Sequence, residues 1–454
     1  MTKLNASFRD PAGYIFTSSQ GEILRQINPI GAAEFDLLHS SGLYEALTKK
    51  NYLIKHEEVK NVHADAYKTI KPERLPFVSY PYEWSFGQLK DAALLTLFIQ
   101  KAALKKGMSL KDASAYNVQF VQGKPVFIDT LSFEVYEEGK PWVAYKQFCQ
   151  HFLAPVALAA LTDIRTMQLL KSNIDGIPLD LAATLLPGTT KFKFSLATHI
   201  HLHAKTQQKY AGKQTNQKEG KGVSRMAMLG LIDNLVNAIK GIKWNPKGTE
   251  WGEYYTFTNY SDSSFDEKKK LVGDYIDKVN PRSLWDLGAN DGTFSSIAAL
   301  KGIETVAFDI DPIAVEKNYR RVKHDHISML PLQLDLTNPS NAIGWAHEER
   351  DSLENRGPAD VVMALAIIHH ISISNNVPLP KVADYLSRLG KHVIIEFVPK
   401  EDSQVKILLA TREDIFVDYH IEGFEKAFSE YFDVVQKNKV GDSLRTLYLL
   451  KSKR

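Results

Sequence analysis

Between residues 283 and 398 the chain repeats one pattern: a short apolar run, a turn, an amphipathic stretch, then another apolar run. "SLWDLG", "TVAFDID", "LPLQLDL", "ADVVMALA" and "HVIIEFVP" have strand length, and several carry no polar alternation. "TFSSIAALKG", "PIAVEKNYRRV" and "LPKVADYLSRLG" lie between them with helical spacing. A strand without a polar face has to be covered on both sides, so the alternation predicts an α/β fold, a parallel sheet with helices on both faces. One more helix precedes it in "SSFDEKKKLVGDYIDKV", with Phe265, Val272, Ile276 and Val279 on one side and Ser264 with Glu267 as a capping box. The end, "FDVVQKNKVGDSLRTLYLLKSK", reads as two strands and a short turn, an antiparallel hairpin on the sheet edge.

At 454 residues the chain is too long for one ordinary domain. The sharpest change of composition is "KTQQKYAGKQTNQKEGKGVS", residues 205–224, rich in Lys, Gln and Gly and nearly free of large aliphatics. It reads as a linker between a front part, 1–204, and a back part, 225–454. No internal repeat is visible. A net charge of +3 without like-charged blocks gives no reason to expect nucleic acid as a partner. A single cysteine, Cys149, excludes an internal disulfide framework. "MTKLNASFRD" has no apolar signal core, and "LKDAALLTLFIQKAALKK" is interrupted by charge and too short to span a bilayer. The expectation is a cytoplasmic protein with no membrane span.

In parallel α/β sheets, ligands bind beyond the carboxyl ends of the strands where strand order reverses. The first loop of the back part is Gly288-Ala289-Asn290-Asp291-Gly292-Thr293. A dinucleotide loop places glycines at G-x-G-x-x-G and rests a pyrophosphate on the helix that follows. Here 290 and 293 are not glycine, and Asp286 and Asp291 would repel a pyrophosphate. A sulfonium cofactor inverts that sign, so S-adenosylmethionine suits the loop. Asn290 replaces a glycine at little strain, because Asn tolerates positive φ. Asp309 ends the second strand, about 20 residues on, where a carboxylate accepts ribose hydroxyls in either cofactor class. Asp335 ends the third strand beside Leu336, at the place for an adenine amino group and ring face. Strand-end acids also cap helices in any α/β protein.

"DLGANDGTFS", "VAFDIDP", "LQLDLT" and "VVMALAIIHHI", with the closing hairpin, resemble class I S-adenosylmethionine-dependent methyltransferases over about residues 225–454. That resemblance implies a Rossmann-like sheet. It assigns Gly288 and Gly292 to the methionine portion of the cofactor, Asp309 to ribose and Asp335 to adenine. Asn290 departs from the family pattern D-x-G-x-G-x-G at its middle glycine. Through "PWVAYKQFCQHFLAPVAL", "IDGIPLD", "HIHLHA" and "IIEFVPKEDSQV" the whole chain is similar to nodulation-protein-type methyltransferases. That likeness implies a small acceptor, carbohydrate-like or lipid-linked.

Methyl transfer needs the acceptor held in line and, for a hydroxyl, a route for its proton. No D/N-P-P-Y follows the fourth strand, so the usual mark of base or amide nitrogen acceptors is absent. His369 and His370 stand there instead, as candidate bases for a hydroxyl or as local hydrogen-bonding residues at a helix start. Tyr254, Tyr255 and Tyr260 in "WGEYYTFTNYSDSSF" and Glu396 at the end of the fifth strand are either further candidates for the acceptor pocket or packing residues, and a packed lead-in segment is the favoured reading of the tyrosines. The expected reaction is O-methylation of a small-molecule or glycan-like acceptor.

In the front part, "LKDASAYNVQFVQGKPVFIDT" sets Asp112 and Asn117 at D-x-x-x-x-N spacing, ahead of a hairpin ending in Asp129. A catalytic base, an amide ligand to Mg²⁺ and a second metal carboxylate follow this order in kinases. The stretch is similar to the catalytic loop of kinase-like phosphotransferases of the aminoglycoside type. The departures are Leu110-Lys111 where a His is usual, a single Gly13 in place of a glycine-rich loop, and Arg25 as the nearest stand-in for the strand lysine, with Glu34 as its candidate helix partner. An α+β domain of kinase-like descent that binds the acceptor or holds the methyltransferase fits these better than an active kinase. "HIHLHA" places His199, His201 and His203 on one strand face, with no carboxylate or cysteine beside them to complete a metal site.

Overall fold

A computed structural model describes residues 2–205, 222–245, 262–410 and 412–454. The chain divides into two compact units, Met1–Pro246 with Gly344–Glu349, and Lys247–Ile343 with Arg350–Arg454. The tyrosines at 254, 255 and 260, and most of the expected linker, lie outside the described residues.

The first unit opens with a five-stranded antiparallel sheet in the order β1-β2-β3-β5-β4. Its strands are β1 (Thr2–Lys3), β2 (Gly13–Thr17), β3 (Ile23–Ile27), β4 (His56–Val59) and β5 (Lys68–Pro72). Helices α1 (Ala32–Ser40) and α2 (Leu43–Thr48) follow β3. Phe35 of α1 packs with Ala12, Ile27, Ile70 and Leu131 in the core of this region. The long helix α3 (Phe86–Lys105) starts at a capping box: Ser85 Oγ accepts from Gln88 N–H at 3.2 Å and Gln88 returns the bond to Ser85 N–H at 2.8 Å. Four short strands come next as two antiparallel pairs. They are β6 (Met108–Leu110) with β9 (Phe133–Val135), and β7 (Val118–Val121) with β8 (Lys124–Phe127). A wide helical turn then leads into α4 (Ala154–Leu161).

Two expectations change here. Helix α5 (Arg225–Gly241), placed by the sequence in the back part, belongs to the first unit. It buries Met228, Ile232, Leu235 and Ile239, and Asp233 meets Lys101 of α3 at 2.5 Å. "HIHLHA" is helical rather than a strand, because Ala197–Leu202 winds into a wide turn. His199 is fixed by the Tyr145 hydroxyl at 2.7 Å and Asn234 Oδ1 at 2.8 Å, and His201 by Thr190 Oγ1 at 2.8 Å. Those bonds explain two of the three imidazoles as packing elements.

The second unit is one seven-stranded sheet in the order β12-β11-β10-β13-β14-β16-β15. Strands β10 (Ser283–Asp286), β11 (Glu304–Asp309), β12 (Met329–Gln333), β13 (Ala359–Ala364) and β14 (Gly390–Phe397) pair in parallel. β15 (Phe432–Lys439) and β16 (Thr446–Ser452) pair antiparallel, and β16 inserts between β14 and β15. Among the described residues six α-helices accompany the sheet: α6 (Asp262–Val279), α7 (Ser295–Ala299), α8 (Pro312–Asp325), α9 (Leu379–Leu389), α10 (Ser403–Leu409) and α11 (Ile421–Ser429).

Val272 and Ile276 of α6 pack with Leu284, Val361, Met363, Ile394 and Leu447, each side chain fully or almost fully buried. Burial of one such aliphatic contributes about 1.5–3 kcal/mol. The expected capping box is not formed: α6 already runs from Asp262, so Ser264 sits inside the helix and its hydroxyl donates to Asp442. Among the described residues no helix is long and apolar enough to cross a membrane.

Candidate cofactor site

Strand order reverses at β10: β11 lies on one side and β13 on the other. The loops leaving β10 and β13 meet there, and a cavity of about 400 Å³ opens among them and the loops after β11 and β12. Gly288 is required by this meeting, since a Cβ on it would run into Ile367 Cγ2 of the opposite loop. Asn290 has φ 49°, the left-handed turn that a middle glycine would supply. Its side-chain oxygen accepts from Asp291 N–H at 2.9 Å, so that atom is engaged within the turn. Gly292 also turns left-handed, at φ 79°, and a Cβ there would meet Asn318 at 2.6 Å and Arg321 at 2.8 Å.

The structure brings some of the expected residues to the cavity and not others. Gly288, Asn290, Asp309, Asp335, Leu336 and His370 line it. Asp286, Gly292 and His369 do not. Asp286 lies under the loop, 1% exposed, with Oδ2 accepting from Ser295 Oγ at 2.6 Å. Asp291 is half-buried and engaged within the loop, its Oδ1 accepting from Thr293 N–H at 3.1 Å and Thr293 Oγ1 at 2.7 Å. Gly292 serves packing against α8. The negative wall is therefore built by Asp309 and Asp335, not by the two loop acids on which the sequence argument leaned.

Asp309 accepts from Asn290 N–H through Oδ2 at 2.7 Å and from Asp311 N–H through Oδ1 at 2.9 Å. Burial pushes its carboxyl up to about 6 against those bonds. Burial does the same to Asp286, also up to about 6, with the Asp309 charge adding to it. Asp335 stands two residues beyond β12, and its Oδ1 accepts from Thr337 N–H at 2.8 Å and Thr337 Oγ1 at 2.6 Å.

The histidines separate clearly. Their rings lie 4.1 Å apart, yet His369 is 1% exposed and neither of its ring nitrogens finds a hydrogen-bond partner among the described residues. Burial, then the neighbouring His370, holds it well below the usual imidazole range. His370 faces the cavity and is lowered to about 4, by burial and by the Arg445 charge. Glu396 is fully buried and pairs with Lys268 at 2.7 Å rather than lining the cavity. Sequence reasoning missed Ile310, Ile367 and Asn375 on the wall, and Ala366, held at φ 53° beside them. For Ile367 the position directly after the apolar strand "VVMALA", whose carboxyl end faces the cavity, was the available signal.

In the first unit Asp112, Asn117 and Asp129 come together. Asn117 and Gln147 side chains bond Asp112, whose carboxyl is raised by burial and then by the Asp129 charge. Asn117 Nδ2 donates to Ser132 Oγ at 3.2 Å, and Ser132 donates to Asp129 at 2.5 Å. Arg25 of β3 forms its ion pair with Asp129 and, among the described residues, none with Glu34.

No family model matches the sequence. The nodulation protein NoeA of Rhizobium meliloti (strain 1021) is 36% identical over 459 residues, spanning 98% of this chain and 95% of NoeA. The chain belongs to the NoeA family. Agreement over nearly the whole length means that both units, and not the cofactor loop alone, are shared with NoeA. Among solved structures, the PH0226 protein of Pyrococcus horikoshii OT3 overlaps 45% of the chain and all of its own, at 19% identity and TM-score 0.32. The N-methyltransferase NodS of Bradyrhizobium japonicum WM9 overlaps 43% of this chain and 99% of its own, at 12% identity and TM-score 0.30. The magnesium protoporphyrin IX methyltransferase ChlM of Synechocystis PCC 6803, solved with bound SAH, overlaps 42% and 84%, at 14% identity and TM-score 0.30.

Proposed function

We propose that the second unit is an S-adenosylmethionine-dependent methyltransferase acting on an oxygen of a small-molecule or glycan-like acceptor. The observation that carries this reading is the charge of the cavity wall. Its carboxylates are Asp309 and Asp335, and among the described residues no lysine or arginine lines it. A pyrophosphate would meet two acids and no cation among the described residues, whereas a nucleoside with a cationic methionine end meets no such repulsion, and its ribose hydroxyls and adenine amino group donate to the two carboxylates. The sheet order, with the last strand inserted antiparallel, fits the Rossmann-like sheet that the resemblance implies. Asp309 is the residue for ribose, Asp335 with Leu336 for adenine, and Gly288 with Asn290 for the methionine end. The cofactor supplies an activated methyl group; the chain orients it and keeps water away.

His370 is the candidate nearest the reaction. Lowered to about 4, it is neutral at pH 7 and a weak base. Its role in this reading is to orient the acceptor hydroxyl and receive its proton only as the new bond forms. His369 supports it from the buried side.

Calorimetry of the full chain with S-adenosylmethionine and its demethylated product tests the reading, with Asp309→Ala as the control. Micromolar binding lost by at least about tenfold in the variant is expected; absence of binding at millimolar ligand refutes it. Conversion of the cofactor to its demethylated product in the presence of acceptor separates an enzyme from a cofactor-binding scaffold.

A second reading, a kinase–methyltransferase acting on a group it first phosphorylates, draws on the meeting of Asp112, Asn117 and Asp129. The Arg25–Asp129 ion pair opposes it, because a metal at Asp129 would have to displace a guanidinium. We infer that the first unit holds the acceptor instead.

A further inference from the structure

A second cavity, of about 430 Å³, lies wholly inside the first unit, between α2 and the C-terminal half of α3. Its floor is apolar: Leu43 and Leu47 of α2 are buried beneath it, Ala102 of α3 flanks them, and Phe98 leaves 39% of its surface exposed. Its rim is cationic, with Lys50, Lys101, Lys105 and Lys106, and among the described residues no acidic residue lines it. Lys101 is engaged by Asp233 at 2.5 Å. Lys50 lies 5.9 Å over the Tyr52 ring, and among the described residues Lys50, Lys105 and Lys106 make no ion pair with an acid. Basic residues suit the carbonyl end of a helix, which accounts for Lys105 and Lys106 at the end of α3. It does not account for Lys50 on the other wall or for the phenyl ring of Phe98, which keeps its exposed area although Lys240 lies 5.8 Å over it.

We propose that this cavity binds a single-chain anionic amphiphile. The alkyl chain lies along the trough over Leu47, Ala102 and Phe98, and a carboxylate or phosphate monoester sits among Lys50, Lys105 and Lys106. Two complementarities select this class. A neutral apolar ligand would leave the rim lysines without a counter-charge, and a compact anion would leave the apolar floor exposed to water. Lysine stems can lie along an alkyl chain while their ammonium ends reach its head group. The volume falls in the range of about 300–1,000 Å³ usual for small-ligand pockets.

The test is calorimetry on the full chain with dodecanoate and dodecyl phosphate, each kept below its micelle concentration. Inorganic phosphate, dodecyltrimethylammonium and vesicles containing phosphatidylserine serve as comparisons. One-to-one binding of at least one anionic amphiphile is expected, with no binding of phosphate or of the cationic amphiphile. Ala102→Trp, which fills the trough, should abolish it, and the double variant Lys50→Glu/Lys106→Glu should weaken it by about tenfold or more. Both variants should bind S-adenosylmethionine as the parent does, so this result stands or falls apart from the methyltransferase reading. Equal binding of the cationic amphiphile, or binding to vesicles alone, overturns the proposal. So does binding that survives both variants. Should Ala102→Trp fail to fold, the surface charge reversal decides.

Discussion

A carboxylate that accepts two backbone N–H groups is ordinarily held in its charged form. Asp309 has both donors, on Asn290 and Asp311, and is nevertheless pushed up to about 6, so burial outweighs them. The folded chain therefore keeps protons on Asp309 and Asp286 that the unfolded chain releases from near pH 4. The stability these groups contribute is fully present below that value and is lost as pH rises through about 6. A bound ribose reverses the preference at Asp309, because its hydroxyls donate most strongly to the charged carboxylate. Affinity for S-adenosylmethionine should accordingly fall about tenfold between pH 7 and pH 5. Calorimetry across that range checks this, and Asp309→Asn should bind weakly with a much flatter profile. A parent profile without slope would mean that Asp309 does not accept hydrogen bonds from the ligand.

At the scale of elements, the loops after β10 and β13 fit together through Gly288 and Ile367. Gly288→Ala should cost about 1–3 kcal/mol as a local overpacking and should weaken cofactor binding. Ile367→Ala in the same chain should restore much of both, measured by denaturant unfolding and calorimetry. If the double variant is no better than the single one, the contact is not what demands glycine. The glycine itself was legible in the sequence; its partner was not, because Ile367 lies far along the chain and looks like any strand-end aliphatic. The same limit applies elsewhere. The parallel strands were readable because "VVMALA" and "HVIIEF" have no polar face. The side to which α5 packs was not, since an amphipathic helix declares an apolar stripe without naming what covers it. Alternation in "HIHLH" imitated a strand, while the partners that fix its histidines, Tyr145, Thr190 and Asn234, come from separate segments.

At the scale of the molecule, the two units have separate cores, one around Phe35 and Ile70, the other around Ile276 and Val361. A ligand that binds one native unit stabilises that unit by mass action, by about 2.7 kcal/mol at a hundred times its Kd. Saturating S-adenosylmethionine should therefore slow hydrogen exchange in β10, β11 and β13 and leave α3 and β7 as they were. Equal protection of both units would place the cofactor, or its coupling, elsewhere than proposed. The sheet of the second unit has one more consequence. β16 is later in the chain than β15, yet it lies inside the sheet and holds β14 on one side and β15 on the other. During synthesis from the N-terminus, β14 and β15 emerge with no strand to join them, and their facing edges wait unpaired until residues 446–452 have been made. This half of the protein closes like a zip from the middle, and its last strand is the slider.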